Sequence, residues 1–211
     1  MKKLLLTLTA VAGLTVASQA QEFGFGKTDL IVEGNLGFNS NDDKNTEVKV
    51  SGFKFNPKVG YFVTDKIAVG INLGVNNTIN DKYAEDTQVK TKTNSFGAGV
   101  FGRYYFLEVG SRFKTYAELN ADYSGAKGEI TTKGTTVKGD KTNTFGVNAG
   151  IGANYFLTEK IAVNFAFANI IGYNTSKVDA DGAKASNSFG LNVNEFNNFF
   201  NTAQFGLTFK F

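Results

Sequence analysis

The sequence predicts an all-β chain: an eight-stranded antiparallel up-and-down transmembrane β-barrel, preceded by a cleaved signal peptide. The last eight residues, the first 20 and the composition between them carry that prediction. In Gln204-Phe205-Gly206-Leu207-Thr208-Phe209-Lys210-Phe211, one side of an extended strand takes Phe205, Leu207, Phe209 and Phe211. The other side takes Gln204, Gly206, Thr208 and Lys210. A strand apolar along one whole face suits a sheet whose outside is lipid. At the other end, Lys2 and Lys3 precede a short apolar run, Leu4 to Val16. Ala17-Ser18-Gln19-Ala20 then offers small residues for cleavage, so residues 1–20 read as a secretory signal. Gln21 begins the mature chain, and 21–211 form one barrel domain. The run is too short for a spanning helix, which needs about 20 apolar residues.

Between the ends, 24 Gly, 21 Phe and 8 Tyr stand beside one Pro and no Cys. Glycine and aromatics together suit a crowded, membrane-facing sheet. The lack of Cys removes disulfides and thiolate chemistry. Loss of Lys2 and Lys3 reduces 22 basic residues to near balance with 19 acidic ones. That balance argues against a nucleic-acid footprint.

Eight alternating segments follow in order. Thr28 to Phe38 puts Leu30, Val32, Leu36 and Phe38 on one face, with Glu33 and Asn35 opposite. Ser51 to Val63 sets Phe53, Phe55, Val59, Tyr61 and Val63 against Lys54, Asn56 and Lys58. Ile67 to Asn77 alternates Ile67, Val69, Ile71, Leu73 and Val75 with small or amide residues. Asn94 to Phe106 sets Phe96, Ala98, Val100, Tyr104 and Phe106 against Gly97, Gly99, Phe101 and Arg103. Phe113 to Tyr123 sets Ala117, Leu119, Ala121 and Tyr123 against Lys114, Tyr116, Glu118, Asn120 and Asp122. Thr142 to Phe156 and Ile161 to Tyr173 repeat the pattern, and the terminal strand is the eighth. Period-two alternation on this scale is a strand signal.

A soluble sandwich or lipocalin-like barrel would point its large apolar side chains inward to fill a core. Here the polar faces are rich in Gly, Ala and Asn, and the apolar faces are bulky. Small residues fit the narrow lumen of eight strands, and large apolar ones fit lipid. The connections alternate strictly. Short ones lie at Thr64-Asp65-Lys66, Leu107 to Arg112 and Thr158-Glu159-Lys160; long polar ones lie at 39–50, 78–93, 124–141 and 174–202. Membrane barrels have short periplasmic turns and longer external loops, so four loops face outward. Tyr61, Tyr104, Phe106, Tyr155 and Phe211 mark the short-turn ends, while Phe38, Phe53, Phe96, Tyr123, Phe145 and Tyr173 mark the other. These are two aromatic girdles.

Tyr61-Phe62-Val63-Thr64-Asp65-Lys66-Ile67-Ala68-Val69 recurs as Tyr155-Phe156-Leu157-Thr158-Glu159-Lys160-Ile161-Ala162-Val163, a hairpin used twice. This hairpin, the signal and the terminal Phe together resemble the small outer-membrane beta-barrel domain family, related to the OmpA-type transmembrane domain, OmpX and OmpW. The resemblance covers about the whole mature chain. It implies an eight-stranded barrel in the outer membrane of a diderm bacterium. It also implies that Phe205, Leu207, Phe209 and Phe211 are the signal read by the outer-membrane assembly machinery. Two departures matter. No peptidoglycan-binding domain follows Phe211, so no wall tether is expected. Pro57 lies inside the second segment, where it removes a ladder donor and predicts a bulge.

The chemistry consists mainly of exclusions. With no His, His-based acid–base catalysis, Ser-His-acid hydrolysis and His metal sites are excluded. The inward charges are Lys54, Lys58, Arg103, Lys114 and Lys210 against Glu33, Glu118 and Asp122. They predict a structural charge network that plugs a closed lumen; a weakly anion-selective path is the alternative. Asp179-Ala180-Asp181-Gly182 and Asn39, Asn41, Asp43 only faintly echo calcium loops, and no metal or cofactor is expected. Phe189, Leu191, Val193, Phe196, Phe199 and Phe200 place apolar bulk in the last connection, as added strand, lid, lipid contact or partner site.

The expected protein is therefore a non-enzymatic outer-membrane scaffold displaying four external loops, and a monomer. Its partners are outer-membrane lipid and lipopolysaccharide, the assembly machinery, and an extracellular ligand held by the loops. A narrow porin-like channel for small or hydrophobic solutes is the alternative.

Overall fold

The computed structural model describes residues 23–83, 88–191 and 204–211. The expected signal peptide, Val193, Phe196, Phe199 and Phe200 lie outside them. The strands are β1 (Leu30–Asp43), β2 (Val48–Phe62), β3 (Ile67–Lys82), β4 (Val89–Val109), β5 (Phe113–Thr132), β6 (Thr135–Phe156), β7 (Ile161–Val178), β8 (Ser186–Leu191) and β9 (Gln204–Lys210). Every pairing is antiparallel. β1 to β7 pair in chain order. β9 then pairs with both β7 and β1, which returns the sheet to its first strand. Closure matters physically, because a lipid-exposed sheet edge would leave backbone donors and acceptors without partners.

The eighth position differs from the expected single terminal strand. β9 covers the Ile161–Ala166 stretch of β7, and β8 covers Ile171–Ser176. Both run antiparallel to β7, so two chain segments share one place in the wall. Ser186–Leu191 thus forms an added strand, one of the courses the sequence left open for the last connection. Phe189 and Leu191 point outward from it and are exposed.

Three further connections expected as loops are mostly strand. β1 and β2 stay paired to Asp43↔Val48, and β3 and β4 to Lys82↔Val89. β5 and β6 stay paired to Thr132↔Thr135. Lys133 (φ 47°) and Gly134 (φ 86°) make a two-residue turn there, with the two positive φ values that a type I′ hairpin requires. Strands of 14 to 22 residues outrun the ~9–11 needed to cross the bilayer. Their outer ends have water on both faces. Alternation therefore fades in the sequence, while backbone pairing continues.

Pro57 makes no bulge. It pairs with Gly34 in register, and the β2–β3 register is the same on either side of it, at Phe55↔Val75 and Lys58↔Asn72. Its ring occupies the edge where a ladder donor would stand, and the neighbouring pairs carry the strand across the gap. The register shifts instead between Tyr105 and Leu107, Lys127 and Glu129, and Ala149 and Ile151.

The repeated hairpin closes identically in both copies. Thr64 Oγ1 accepts from the backbone N–H of Lys66 and Ile67, and Thr158 Oγ1 accepts from Lys160 and Ile161. Tyr61 and Tyr155 face outward. Their neighbours Phe62 and Phe156 face inward and are sealed, at 0% and 1% exposure. The motif therefore turns one aromatic outward and fills the short-turn end of the lumen with the next.

Candidate functional site

The lumen is the candidate site, and it has three levels. At the mouth that carries the short turns, the segment before β1 enters the barrel. The ring of Phe25 stacks on Phe62 at 4.6 Å between centroids and lies 4.9 Å from Tyr105 and 5.0 Å from Phe156. Phe23 is buried beside Phe156, with the Arg112 guanidinium 4.2 Å from its ring. Gly24 takes φ 136°, a conformation L side chains rarely adopt, and its carbonyl accepts from Lys210 Nζ at 2.9 Å. Asp29 steadies the turn by accepting from the Gly26 N–H at 2.8 Å, and Asp65 accepts from the Lys27 N–H at 2.7 Å. The result is an aromatic stopper tied to the rim.

Above the stopper lies a floor of buried charge. The Arg103 guanidinium forks onto Glu33, Nη1 to Oε1 at 2.6 Å and Nη2 to Oε2 at 2.7 Å. Its Nε and Nη2 reach Glu118 Oε2 at 2.8 and 2.5 Å. Lys58 Nζ donates to Glu118 Oε1. Two cations and two carboxylates thus neutralise one another, with Arg103 and Glu33 both only 2% exposed. The remaining hydrogen-bonding capacity is taken up nearby. Thr208 donates to Glu33 at 2.8 Å and accepts from Asn154 at 2.8 Å. Tyr105 accepts from Arg103 at 3.1 Å and donates to Asn154 at 2.8 Å. Tyr116 lies under the guanidinium, 4.0 Å from Cζ, and its hydroxyl accepts from Asn164 at 2.9 Å. Gly152 lets that ring lie flat, since a Cβ there would fall 2.5 Å from the Tyr116 hydroxyl. The floor joins β1, β2, β4, β5, β6, β7 and β9.

Outward of the floor is a polar cup enclosing about 340 Å³. Its walls carry Asn56, Asn72, Asn76, Asn120 and Asn148, with Lys54 and Asp122. The amides form a loose ladder: Asn72 donates to Asn120 at 3.4 Å, Asn120 to Asn148 at 3.3 Å, and Asn148 to Asp122 at 3.3 Å.

The eight charges read from the sequence thus fall into separate groups. Glu33, Lys58, Arg103 and Glu118 come together. Lys114 does not join them; it pairs with Glu108 at 2.5 Å, nearer the stopper. Lys210 belongs to the stopper, with its ammonium 3.7 Å from Asp29. Lys54 and Asp122 stand one level up. Phe205, Leu207, Phe209 and Phe211 all face outward and are exposed. The sequence reading missed Phe23, Phe25 and the floor's Tyr105, Asn154, Asn164 and Thr208. Their signal was parity: Phe62, Tyr105, Tyr116 and Phe156 are large residues on inward positions, and such residues need an apolar partner within the lumen.

Comparison with known proteins agrees with this architecture. Among solved structures, OprG from Pseudomonas aeruginosa is similar, with a TM-score of 0.51 and 16% identity over 89% of this chain and 98% of that one. Outer membrane protein W of E. coli has a TM-score of 0.45 and 12% identity over 89% of this chain and 99% of its own. Among curated proteins, none is similar enough to count as a match. The family model described as the outer membrane protein beta-barrel domain matches residues 6–211. The chain belongs to that family, and it is a β-barrel protein of the bacterial outer membrane.

Proposed function

We propose that this protein is a non-enzymatic, non-conducting scaffold that holds an extended external sheet above the membrane. The observation that carries the reading is the double closure of the lumen: a neutral, fully bonded Arg103 floor resting above an aromatic stopper. Eight strands leave an interior that side chains can fill, and here they fill the periplasmic half. The non-enzymatic part rests on a chain without His or Cys whose most buried carboxylates are committed to Arg103 and Lys58. What the barrel offers the outside is the three extended hairpins, a rigid platform for an extracellular ligand.

The rest of the reading follows the surfaces. The outward apolar band is the lipid contact, with lipopolysaccharide in the outer leaflet. The face of Phe205, Leu207, Phe209 and Phe211 is the strand presented to the assembly machinery. The wall closes on itself and leaves no long sheet edge for a second copy, which supports a monomer.

Single-channel recording of the refolded mature protein in a planar bilayer tests the closure. The native chain stays silent once insertion is verified by protease protection. Lys58→Gln and Arg103→Gln loosen the floor and raise the frequency of brief openings. Discrete native openings whose ion preference changes in those variants would instead establish the narrow-channel alternative.

A further inference from the structure

The floor pair has an unpaired counterpart one level outward. Lys58 on β2 and Glu118 on β5 are ion-paired. Four residues outward along β2 stands Lys54, and four residues outward along β5 stands Asp122. All strands of a barrel tilt in the same sense. Equal steps along two of them, about 13 Å each, therefore carry both side chains around the axis together. Lys54 and Asp122 consequently stand one level outward on the same two strands of the cup wall, where the aspartate is one methylene shorter than Glu118 and no ion pair is made. Both line the cavity, and neither joins an ion pair among the described residues. Among the same residues Lys54 makes no hydrogen bond, and Asp122 accepts only the long bond from Asn148.

We propose that the cup is a binding site for a small zwitterion entering from outside, its carboxylate on Lys54 and its ammonium on Asp122. Each wall charge faces the cup without the counter-ion that the chain supplies one level below. A ligand with one charge of each sign satisfies both walls and leaves the cup neutral. A simple anion would leave Asp122 facing it, and a simple cation would leave Lys54. The amide ladder fits the same role. Its bonds of 3.3 and 3.4 Å are at the weak limit. Asn120 and Asn148 can therefore turn to a ligand's polar atoms at little cost. The cup must be blind for the ligand to be retained, so the proposal rests on the closed floor of the scaffold reading. The two fail separately, because conductance reports the floor and binding reports the cup.

The test is titration calorimetry on the refolded mature chain in lipid nanodiscs, with the amino acids glycine, beta-alanine and gamma-aminobutyrate as probes. Propionate and propylamine serve as half-probes carrying one charge each. One member of the series binds saturably, at least about tenfold tighter than either half-probe. Its length reports the span between the walls. Lys54→Gln and Asp122→Asn each abolish that advantage, and the exchanged pair Lys54→Asp with Asp122→Lys restores it with the ligand reversed. The restored variant separates charge complementarity from misfolding. A folded native chain that binds no zwitterion better than the half-probes overturns the proposal. So do single variants that bind as the native chain does.

Discussion

The two halves of the lumen share one wall of strands and differ in what fills it. The periplasmic half is packed with Phe25, Phe62, Tyr105, Tyr116 and Phe156 and crossed by the Arg103 cluster. The extracellular half is lined by asparagine and small residues and keeps open space. The contrast shows that strand number sets the diameter, while the size of the inward residue decides whether a given level is plug or cup. It also shows two treatments of lumenal charge. Below, each charge meets its opposite and is bonded to saturation. Above, Lys54 and Asp122 line open space and join no ion pair among the described residues.

Loss of the floor costs the barrel most. Arg103→Met removes the cation that Glu33 and Glu118 share and leaves buried carboxylates unpaired. The loss is on the order of 3–5 kcal/mol, read as a lowered urea midpoint of the barrel in vesicles. An unchanged midpoint would mean that the lower half is as hydrated as the upper, and the contrast would collapse.

Phe25→Ala loosens the stopper alone. It removes a half-buried ring that touches Phe62, Tyr105 and Phe156, so stability falls by about 2 kcal/mol. The Arg103 floor stays in place. Amide exchange should therefore quicken at Phe62 and Phe156 while the Glu33–Arg103 level stays protected. Exchange rising equally at both levels would merge stopper and floor into one unit.

The smallest effect belongs to the external tips, where charge is fully hydrated. Lys44 Nζ donates to Asp42 at 2.7 Å, and Tyr83 donates to the same carboxylate at 3.0 Å. The Lys44 hydrogen bond, aided by that from Tyr83, holds the Asp42 carboxyl below its ordinary value of 3.8. A depressed folded value stabilises above the unfolded value, and that contribution is lost as pH falls through the folded one. Carbon-13 titration of Asp42 should show a midpoint under 3.8 that returns upward in Lys44→Gln, with no measurable change in the unfolding midpoint. A midpoint indifferent to Lys44 would dissolve this contact.

Much of the wall is legible in the sequence. Val69, Ile71, Leu73 and Val75 sit outward because period two is a property of the extended backbone, and lipid demands apolar atoms on that side. The paired Thr64 and Thr158 turns are legible for the same local reason: a hydroxyl capping its own turn needs only neighbouring residues. Strand ends are not legible, because Lys82, Val89, Thr132 and Thr135 lie where water bathes both faces and no alternation is required.

Residue pattern alone therefore dictates the wall: an all-β chain, alternating faces, lipid outside, short turns at one end. Those features follow from local geometry and from the solvent that each side chain meets. The inside depends on closure of the whole barrel. Glu33 and Arg103 stand 70 residues apart, and Glu33 and Thr208 stand 175 apart. The tilt and register that bring them to one level belong to the closed ring. The same holds for Phe25 entering the mouth, for β8 and β9 sharing one place, and for Lys58 finding Glu118 while Lys54 and Asp122 remain apart. Local pattern encodes which way a side chain points, and only barrel closure sets which other side chain it meets.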